Sequence, residues 1–352
     1  MKKDFIEIAS RKIGTDKPVF VIAEMSANHN QVFDEAVKII HAANECGADA
    51  IKLQTYTPDT MTINSDNEYF KIKGTVWEGE TLYNLYKKAY TPLDWQPKLK
   101  EIADEIGIIL FSTPFDKSSV DFLEEMDVPA YKIASFELVD IPLIEYIASK
   151  GKPIIMSTGM ATLCEISEAV ETAKKAGAKE IALLKCTSAY PALPEEMNLR
   201  TIPHIAETFG VVAGLSDHTL GIAVSVASVA LGACIIEKHL TLSRTNVGPD
   251  SAFSLEPNEL KAMVEAVRTV EKAIGTVNYR VTEKEVESRV FRRSLFVVKD
   301  MKAGEVFTEE NVCSIRPGYG LAPKYLKYIL KRKATIDINR GTPLSWDLVG
   351  NK

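Results

Sequence analysis

The chain has 352 residues, of which 46% are hydrophobic and 26% charged, and its formal net charge at pH 7 is -6. Such a length suits one large α/β domain of roughly 250 residues with a small module, or two or three domains of about 150 residues. The net acidic balance, with lysine and arginine dispersed along the chain, offers no clustered basic surface for nucleic acid. We therefore expect a globular protein that does not bind nucleic acid.

The cysteines and the apolar segments predict a cytoplasmic protein. Five cysteines are widely separated and include no C-x-x-C pair, which is typical of reduced thiols and not of disulfides or structural zinc. Two lysines near the start are not followed by the apolar stretch of a signal peptide. The longest apolar stretch, residues 221–236, is too short to span a bilayer. No association with a membrane is expected.

Eight short apolar runs alternate with helical patterns along the first three quarters of the chain. The runs cover residues 19–25, 50–54, 108–113, 130–135, 153–158, 181–187, 210–216 and 234–239. Strands that alternate with helices indicate β/α units and a parallel sheet. An open doubly wound sheet is the alternative, but eight units in a row without a glycine-rich phosphate fingerprint after the first strand favour a closed (β/α)₈ TIM barrel.

Two segments depart from the β/α repeat. Residues 55–97 form a long insertion rich in Tyr and Trp after the second strand, where barrel insertions cover the active-site face. The aromatic side chains there are equally compatible with simple packing. After the last barrel helix the chain becomes polar and then changes to short strands and turns. We predict a barrel over residues 1–276, a linker over 277–290 and a small second domain over 291–352.

Ionisable and hydroxyl side chains occur at nearly every predicted strand end, where a barrel opens onto its site. Three lysines, Lys52, Lys132 and Lys238, lie within apolar strands. Each alone could extend its ammonium group past the barrel rim. Together with Ser and Thr at neighbouring strand ends, they indicate a site for phosphate, or for phosphate plus carboxylate.

His218 and His239 end the seventh and eighth strands, which are neighbours in a barrel. Two histidines at adjacent strand ends can chelate one divalent ion and leave positions open for water or substrate oxygen. Mn²⁺ or another borderline-hard ion suits them better than structural zinc, although ordinary core or surface histidines are the alternative. Cys186 is a weaker candidate for a nucleophile, because no base is evident beside it. Asp250, in a Gly-Pro-Asp sequence, suits a hydroxylated substrate or a simple turn.

Several motifs at these strand ends resemble the sialic acid synthase family. In chain order they read AEMSANHN, IKLQ, FSTPFD, YKIASFE, STGMAT, GLSDHT and IEKHLT, and the later AGEVFTEENVCSIRPGYGLAP is similar to the antifreeze-like SAF domain of that family. The inserted segment 67–92 and the loop CTSAYPA resemble the branch that makes pseudaminic acid.

The resemblance implies a condensation of phosphoenolpyruvate (PEP) with the open-chain aldehyde of an N-acetylated amino sugar, giving a nine-carbon 2-keto acid and phosphate. It implies Mn²⁺, or Mg²⁺ or Co²⁺, on His218 and His239, and a domain-swapped homodimer. The implied PEP-binding residues are Lys52, Thr113, Lys132, Ser135, Ser188, Ser216 and His218. The implied sugar-binding residues are Glu24, Tyr190, Asp250 and, from the other subunit, Arg316. We assign catalytic roles to Glu24, Glu137, His218 and His239, with Glu24 or Glu137 as proton acceptor.

Two departures from the family pattern concern the sugar and one PEP contact. The family usually has Asn where Ser188 stands, and its first motif more often reads A-E-I-G-x-N-H-x-G. Met25, Ser26, Ala27 and Gln31 alter that motif. Both changes suit a different sugar, and neither affects the implied metal positions.

The predicted reaction is that of a pseudaminic acid synthase acting on 2,4-diacetamido-2,4,6-trideoxy-L-altrose. N-acetylneuraminate or N,N'-diacetyllegionaminate synthesis is the alternative within the family. Another PEP-condensing or Schiff-base aldolase is a further enzymatic alternative. A carbohydrate-binding protein without catalysis is the alternative from another functional class, and it would bind sugar without releasing phosphate.

Overall fold

A computed structural model describes residues 5–74 and 77–351 of the chain. The chain divides after Gly275 into two compact units. The first unit contains a closed barrel of eight parallel strands, which confirms the predicted fold class. Across the described ranges, no helix combines the length and apolar character needed to cross a membrane.

The barrel strands are buried on both faces, as strands enclosed by helices must be. They are β3 (Phe20–Glu24), β4 (Ala50–Thr55), β5 (Ile109–Pro114), β6 (Tyr131–Ile133), β7 (Ile154–Ser157), β8 (Ile181–Cys186), β9 (Val212–Asp217) and β10 (Ile235–His239). Closure comes from parallel pairing of β10 with β3, in a register that runs from Ile235 opposite Phe20 to His239 opposite Glu24. All eight predicted strands are present.

Helices follow the strands along the barrel unit, and apart from the short α2 and α3, which belong to the insertion, they form the outer layer. They are α1 (Phe33–Glu45), α2 (Pro58–Met61), α3 (Leu82–Ala89), α4 (Gln96–Ile106), α5 (Lys117–Glu125), α6 (Ile141–Ser149), α7 (Leu163–Lys175), α8 (Thr201–Phe209), α9 (Ala223–Ala230) and α10 (Pro257–Ile274). In α10, Leu260, Met263, Val264 and Val267 are buried. This i, i+3, i+4, i+7 spacing places one apolar stripe against the strands.

An N-terminal hairpin, β1 (Phe5–Ile8) with β2 (Arg11–Gly14), precedes the barrel and was not predicted. Its buried Ile6, Ile8 and Ile13 belong to the same core cluster as Phe20 at the start of β3. The hairpin therefore adds apolar side chains to the barrel core.

The predicted insertion consists of short elements. Between β4 and α4 the chain forms α2, α3 and the 3₁₀ turns Glu68–Phe70 and Leu93–Trp95. These elements pack little apolar surface of their own, and α3 buries no residue fully. Their apolar side chains instead line a cavity described below.

The second unit has its own small core and little helix. It contains α11 (Glu283–Ser288), β11 (Ser294–Val297), β12 (Val312–Ile315) and α12 (Leu326–Ile329). Strands β11 and β12 pair antiparallel. Gly304 and Gly341 have φ values of 81° and 88°, in the left-handed region that favours glycine. Its buried residues include Leu295, Phe307 and Ile338.

Candidate active site

Alternation along the barrel strands selects which strand-end side chains face the interior. Successive side chains of a strand point to opposite faces, so residues two apart share one face. Glu237 and His239 on β10 therefore share a face, and Lys238 between them points to the other. The same alternation separates Ser216 from Asp217 on β9.

Two lysines and two glutamates form a buried charge network inside the barrel. Lys52 Nζ on β4 pairs with Glu24 Oε2 on β3, and it lies 3.8 Å from Glu237 Oε1 on β10. Lys132 Nζ on β6 lies 3.3 Å from the same Glu237 oxygen. All four residues are at most 5% exposed. The network thus joins strands from different parts of the barrel wall.

Hydroxyl groups complete this network. Thr113 Oγ1 accepts a hydrogen bond from Lys52 Nζ at 3.2 Å, and Ser216 Oγ donates to Glu237 Oε1 at 3.1 Å. Both lysines therefore have oxygen atoms as partners, and a phosphate or carboxylate oxygen would be an equivalent partner.

The pKa shifts in the network depend on burial and on the neighbouring charges. Burial raises the pKa of Glu24 to about 7, although Lys52 opposes the shift. Burial would also raise the pKa of Glu237, but Lys132 and Lys52 outweigh it and lower that pKa. Burial lowers the pKa of Lys132 despite Glu237. When Glu24 is protonated, two ammonium groups face one carboxylate, which gives the network the positive charge that attracts an anion.

The structure corrects the predicted lysine set and adds a residue that the sequence analysis did not assign. Lys238 does not join Lys52 and Lys132, because it points to the outer face and pairs with Asp217 at 2.9 Å. Glu237, which received no role, contacts both interior lysines. Counting two residues back from His239 along the strand would have identified Glu237.

Ser135 and Ser188 share a small space with Gly159. The amide of Gly159 donates to Ser135 Oγ at 3.1 Å. A Cβ atom at position 159 would lie 2.2 Å from Ser188 Oγ and 2.7 Å from Ser135 Oγ. Only glycine therefore permits the two hydroxyls to lie against this backbone. Backbone amides and hydroxyls in such proximity are typical of phosphate sites.

His218 and His239 are close together at the barrel end. Their ring centres are 5.5 Å apart, and the ring of Tyr190 lies 4.4 Å from that of His218. His218 Nδ1 is 3.0 Å from the carbonyl oxygen of Thr187, which can only accept. Nδ1 therefore carries the proton in the neutral ring and Nε2 keeps a free lone pair.

The donor set fits a divalent ion on two imidazoles. His239 Nδ1 is buried without a hydrogen-bond partner, and burial holds the pKa of His239 well below its usual value. A neutral ring is the form that binds metal. Within residues 5–74 and 77–351 no group of three or more His, Cys, Asp or Glu side chains forms a metal site. At this barrel end the described residues thus offer the two imidazoles of His218 and His239 to an ion.

Cys186 has a histidine beside it, which the sequence analysis did not anticipate. Its Sγ is 3.8 Å from His218 Nδ1. Burial alone would raise the pKa of the thiol, but His218 lowers it to about 7. Because His218 Nδ1 donates to Thr187, this nitrogen has no lone pair with which to accept the thiol proton.

A cavity of about 400 Å³ lies beside the histidines. Its floor includes Ser26, Gln54, His239 and Asp250, and Gln54 Nε2 donates to Glu24 Oε1 at 3.1 Å and to Ser26 Oγ at 2.9 Å. Ser26 Oγ in turn donates to Asp250 Oδ2. The cavity floor is therefore connected by hydrogen bonds to the buried charge network.

The rest of the cavity wall is mostly apolar and comes largely from the insertion and its neighbours. We call these residues the apolar roof: Tyr56, Met61, Ile72, Trp77, Leu82, Leu85, Tyr86, Ala89, Phe115 and Phe136. Tyr190 and Trp77 lie with ring centres 5.8 Å apart, on the border between floor and roof. The reacting end of a ligand would thus meet polar groups while its far end meets apolar side chains.

Glu137 also lines this cavity. It belongs to the 3₁₀ turn Ser135–Val139, which begins at the last residue of the predicted strand 130–135. Its Oε2 atom is buried without a hydrogen-bond partner, and burial raises its pKa to about 7. A carboxyl group in this state can gain or lose a proton near neutral pH.

A larger open groove of about 850 Å³ lies near the insertion, but none of the buried ionisable residues above lines it. We therefore place the site at the smaller cavity. The groove residues are Asn30, Gln31, Val32, Glu35, Glu80, Asn84, Lys87, Lys88, Asn246, Val247, Gly248 and Pro249.

Most of the predicted site residues belong to the barrel end described above. Arg316 is different, because it is an exposed residue of the second unit, directly after β12. Its predicted role toward the sugar stays a prediction.

Comparisons with known proteins agree with this architecture. The NeuB family model matches residues 39–279, and the SAF domain model matches residues 292–350. Pseudaminic acid synthase of Campylobacter jejuni (strain 81-176) is 49% identical over 330 residues, covering 94% of this chain and 96% of the relative. The Helicobacter pylori pseudaminic acid synthase is 46% identical over 332 residues, with 94% and 98% covered.

More distant similarity reaches other enzymes and solved structures. The N,N'-diacetyllegionaminic acid synthase of Legionella pneumophila is 35% identical over 350 residues, with 96% and 98% covered. The crystal structure of N-acetylneuraminic acid synthetase from Leptospira borgpetersenii in complex with citrate superposes with a TM-score of 0.72 at 34% identity. It covers 81% of this chain and 94% of that chain.

The contact between Gly159 and the two serines predicts the effect of one added methyl group. Gly159→Ala would displace the hydroxyls of Ser135 and Ser188 and should weaken the binding of PEP about 10- to 100-fold, the scale of one or two hydrogen bonds to a charged group. Calorimetric titration with PEP measures this effect. The clash of the new Cβ atom should also lower thermal stability. Adding Ser188→Ala should restore it, because this change removes the Ser188 Oγ atom that lies closest to the Cβ position. Unchanged PEP affinity in Gly159→Ala would contradict the assignment of this space to the anion.

Burial of Glu137 predicts a pH-dependent stability. The pKa of Glu137 is about 7 in the folded chain and 4.5 in the reference state, so folding favours the protonated carboxyl group. The stability that this group contributes is complete below pH 4.5 and is lost as the pH rises through about 7. Relative to Glu137→Gln, the parent should lose on the order of 2 kcal/mol of unfolding free energy between about pH 5 and pH 8. Urea unfolding of both proteins across this range measures the difference, and parallel curves would refute the shift.

Proposed function

Because the chain belongs to the NeuB family, we propose that it catalyses the pseudaminic acid synthase reaction. PEP, 2,4-diacetamido-2,4,6-trideoxy-L-altrose and water would give pseudaminic acid and phosphate. The enzyme would thus be a transferase that forms a carbon–carbon bond. The pseudaminic acid synthases of C. jejuni and H. pylori, similar over nearly the whole chain, support this choice.

The observation that carries the proposal is the buried Lys52–Glu24–Lys132–Glu237 network beneath a cavity that is lined by His239, with His218 next to it. PEP carries a phosphate and a carboxylate, so it offers the oxygen atoms that two buried lysines require. The serines beside Gly159 would bind the phosphate. Thr113, bonded to Lys52, and Ser216, bonded to Glu237, would complete the PEP site. The anion would be held at the strand ends, and the sugar above it.

The reaction forms a carbon–carbon bond and a bond from the water oxygen to C2, and it breaks the C2–O bond to phosphate. C3 of PEP attacks the aldehyde carbon of the sugar, and the aldehyde oxygen gains a proton. Water adds at C2 and gives up one proton. The C2–O bond to phosphate then breaks, and the new C2 hydroxyl gives its proton to the departing phosphate to leave the keto acid. Lys52 and Lys132 offset the negative charge of the phosphate throughout.

His218 and His239 would hold a divalent ion, Mn²⁺ in our proposal with Mg²⁺ or Co²⁺ as substitutes. A bound ion would polarise the sugar aldehyde as a Lewis acid. In its neutral form His218 presents the Nε2 lone pair to an ion, and burial favours the neutral ring of His239. Tyr190 packs on the ring of His218 and limits its orientation.

Proton transfer would fall to Glu137 or Glu24. Each has a pKa of about 7 because of burial, so each can exchange a proton near neutral pH. Glu137 lines the cavity and has an oxygen atom without a hydrogen-bond partner. Glu24 is already paired with Lys52 and bonded to Gln54. Glu137 is therefore the better candidate for proton exchange, and Glu24 and Asp250 would face the sugar.

The apolar roof supports a deoxy sugar with a second acetamido group. A 6-deoxy sugar has a methyl group where other sugars have a hydroxyl, and each acetamido group adds another methyl. Met61, Ile72 and Leu85 offer apolar contact to such groups. A hydroxyl placed there would lose its bonds to water, at a cost of about 1–3 kcal/mol.

The remaining parts of the proposal follow the family resemblance. We assign residues 1–276 to the catalytic barrel, 277–290 to a linker and 291–352 to the SAF domain. We propose a cytoplasmic, domain-swapped homodimer in which Arg316 of one subunit reaches the sugar bound by the other.

An activity assay with a sugar panel tests the proposal. Purified protein with Mn²⁺ and PEP should release phosphate fastest with 2,4-diacetamido-2,4,6-trideoxy-L-altrose, because the other sugars place hydroxyls or altered stereochemistry against the apolar roof. The panel includes the 2,4-diacetamido-2,4,6-trideoxy hexose precursor of legionaminic acid and N-acetylmannosamine. Phosphate release and mass spectrometry of the nine-carbon product are the measurements.

His239→Ala tests the role of the histidines, because it removes one proposed metal ligand from the same cavity. It should lose turnover at saturating PEP. Preference for N-acetylmannosamine would contradict the choice of sugar. Full turnover in metal-free buffer would contradict the role of the histidines, and sugar binding without phosphate release would favour a carbohydrate-binding protein.

A further inference from the structure

A second buried ion pair lies on the opposite face of the strands that end in the two histidines. Lys238 Nζ on β10 is 2.9 Å from Asp217 Oδ2 on β9, and both side chains are at most 1% exposed. The two residues are direct cross-strand partners. The next residues along these strands are His218 and His239. The pair lies outside the cavity and has no part in the chemistry proposed above.

The pair is bonded on both sides of His218. Asp217 Oδ1 accepts from the amide of Thr219 at 2.9 Å and from its hydroxyl at 2.7 Å. Lys238 Nζ also donates to the carbonyl oxygen of Thr219. Ser225 Oγ, on helix α9, donates to Asp217 Oδ2 at 2.5 Å. The residues before and after His218 are thus tied to the residue before His239.

Stability alone does not explain a buried pair of this kind. Taking two charges out of water costs several kcal/mol, and well-packed apolar residues often serve stability equally well. What a fully bonded pair does provide is a fixed geometry. Such a fixed geometry matters here, because the described residues give His239 Nδ1 no hydrogen-bond partner and give His218 Nδ1 a backbone carbonyl. Within the described part of the chain, no carboxylate forms a hydrogen bond to either ring.

We propose that Asp217 and Lys238 are positioning residues that set the spacing of His218 and His239 for a divalent ion. This inference rests on the metal-binding part of the proposed function. The pair acts through the backbone of both strand ends, so its loss should weaken metal binding more than it weakens the fold.

The test is the double variant Asp217→Asn/Lys238→Met, which removes both charges and leaves neither one buried alone. Titration of the metal-free full-length protein with Mn²⁺, without PEP or sugar, measures the Kd. We expect it to rise about 10- to 100-fold, the usual effect of losing groups that orient metal ligands. Circular dichroism should retain the parent spectrum. Saturating Mn²⁺ should restore much of kcat, which a general loss of structure would not permit.

Arg268→Met/Glu271→Gln is the matched control. Arg268 Nη1 lies 2.7 Å from Glu271 Oε1 and donates to the carbonyl oxygen of Val19, directly before β3, at the opposite end of the barrel. This variant removes an ion pair of the same barrel without touching the strand ends that carry histidine. Its Kd for Mn²⁺ should stay within about twofold of the parent value, because no metal-orienting group is lost.

An unchanged Kd in the Asp217/Lys238 double variant would overturn the inference and leave the proposed function intact. If that variant does not fold, Ser225→Ala, which removes one hydrogen bond to Asp217, replaces it. A weaker Mn²⁺ affinity in Ser225→Ala supports the inference, and an unchanged one overturns it. If the parent itself binds no Mn²⁺, both the metal role and the positioning role are wrong.

Discussion

Two lysines buried among two glutamates inside one end of the barrel are the constraint on which the rest of the structure depends. An unpaired charge in this position would cost several kcal/mol, so each ammonium group needs a carboxylate within reach. Glu24, Lys52 and Glu237 come from three neighbouring strands, because β3 pairs with both β4 and β10. Lys132 on β6 reaches Glu237 across the interior. A closed barrel is the arrangement that permits this contact.

The same charges provide the chemistry. Carboxylates neutralise the lysines in the free protein, and the oxygens of a phosphate and a carboxylate can take their place. Ser135 and Ser188 place their hydroxyl groups against the backbone of Gly159 at the same end of the barrel. The polar chain through Gln54 and Ser26 extends to the cavity floor, while the insertion contributes the apolar roof. In the proposed enzyme, one strand layer would bind the anion and the loops above it would select the sugar.

The sequence was sufficient for the eight strands, because each is a short apolar run between helical patterns. The ends of the strands were predicted less accurately. Strand β6 ends at Ile133, two residues before the predicted end, because a 3₁₀ helix begins at Ser135. The hairpin of β1 and β2 was not predicted, because the hydrophobic alternation of two four-residue strands is too short to indicate a strand clearly. Lys238 lies apart from Lys52 and Lys132, because side chains alternate along β10 and the interior positions belong to Glu237 and His239. The apolar roof depends on long-range contacts of short elements, which local sequence does not encode.

The affinity for PEP in a Lys132→Met variant tests the central claim most directly, since Lys132 is wholly buried and its ammonium group has Glu237 as its ion-pair partner. Lys185→Met is the matched control, because Lys185 is a half-buried strand lysine that donates to the carbonyl of Cys186 and to Thr187 Oγ1. Calorimetric titration of the full-length protein should give a Kd for PEP about 10- to 100-fold weaker in Lys132→Met and nearly unchanged in Lys185→Met. Equal PEP affinity in Lys132→Met and the parent would contradict the account.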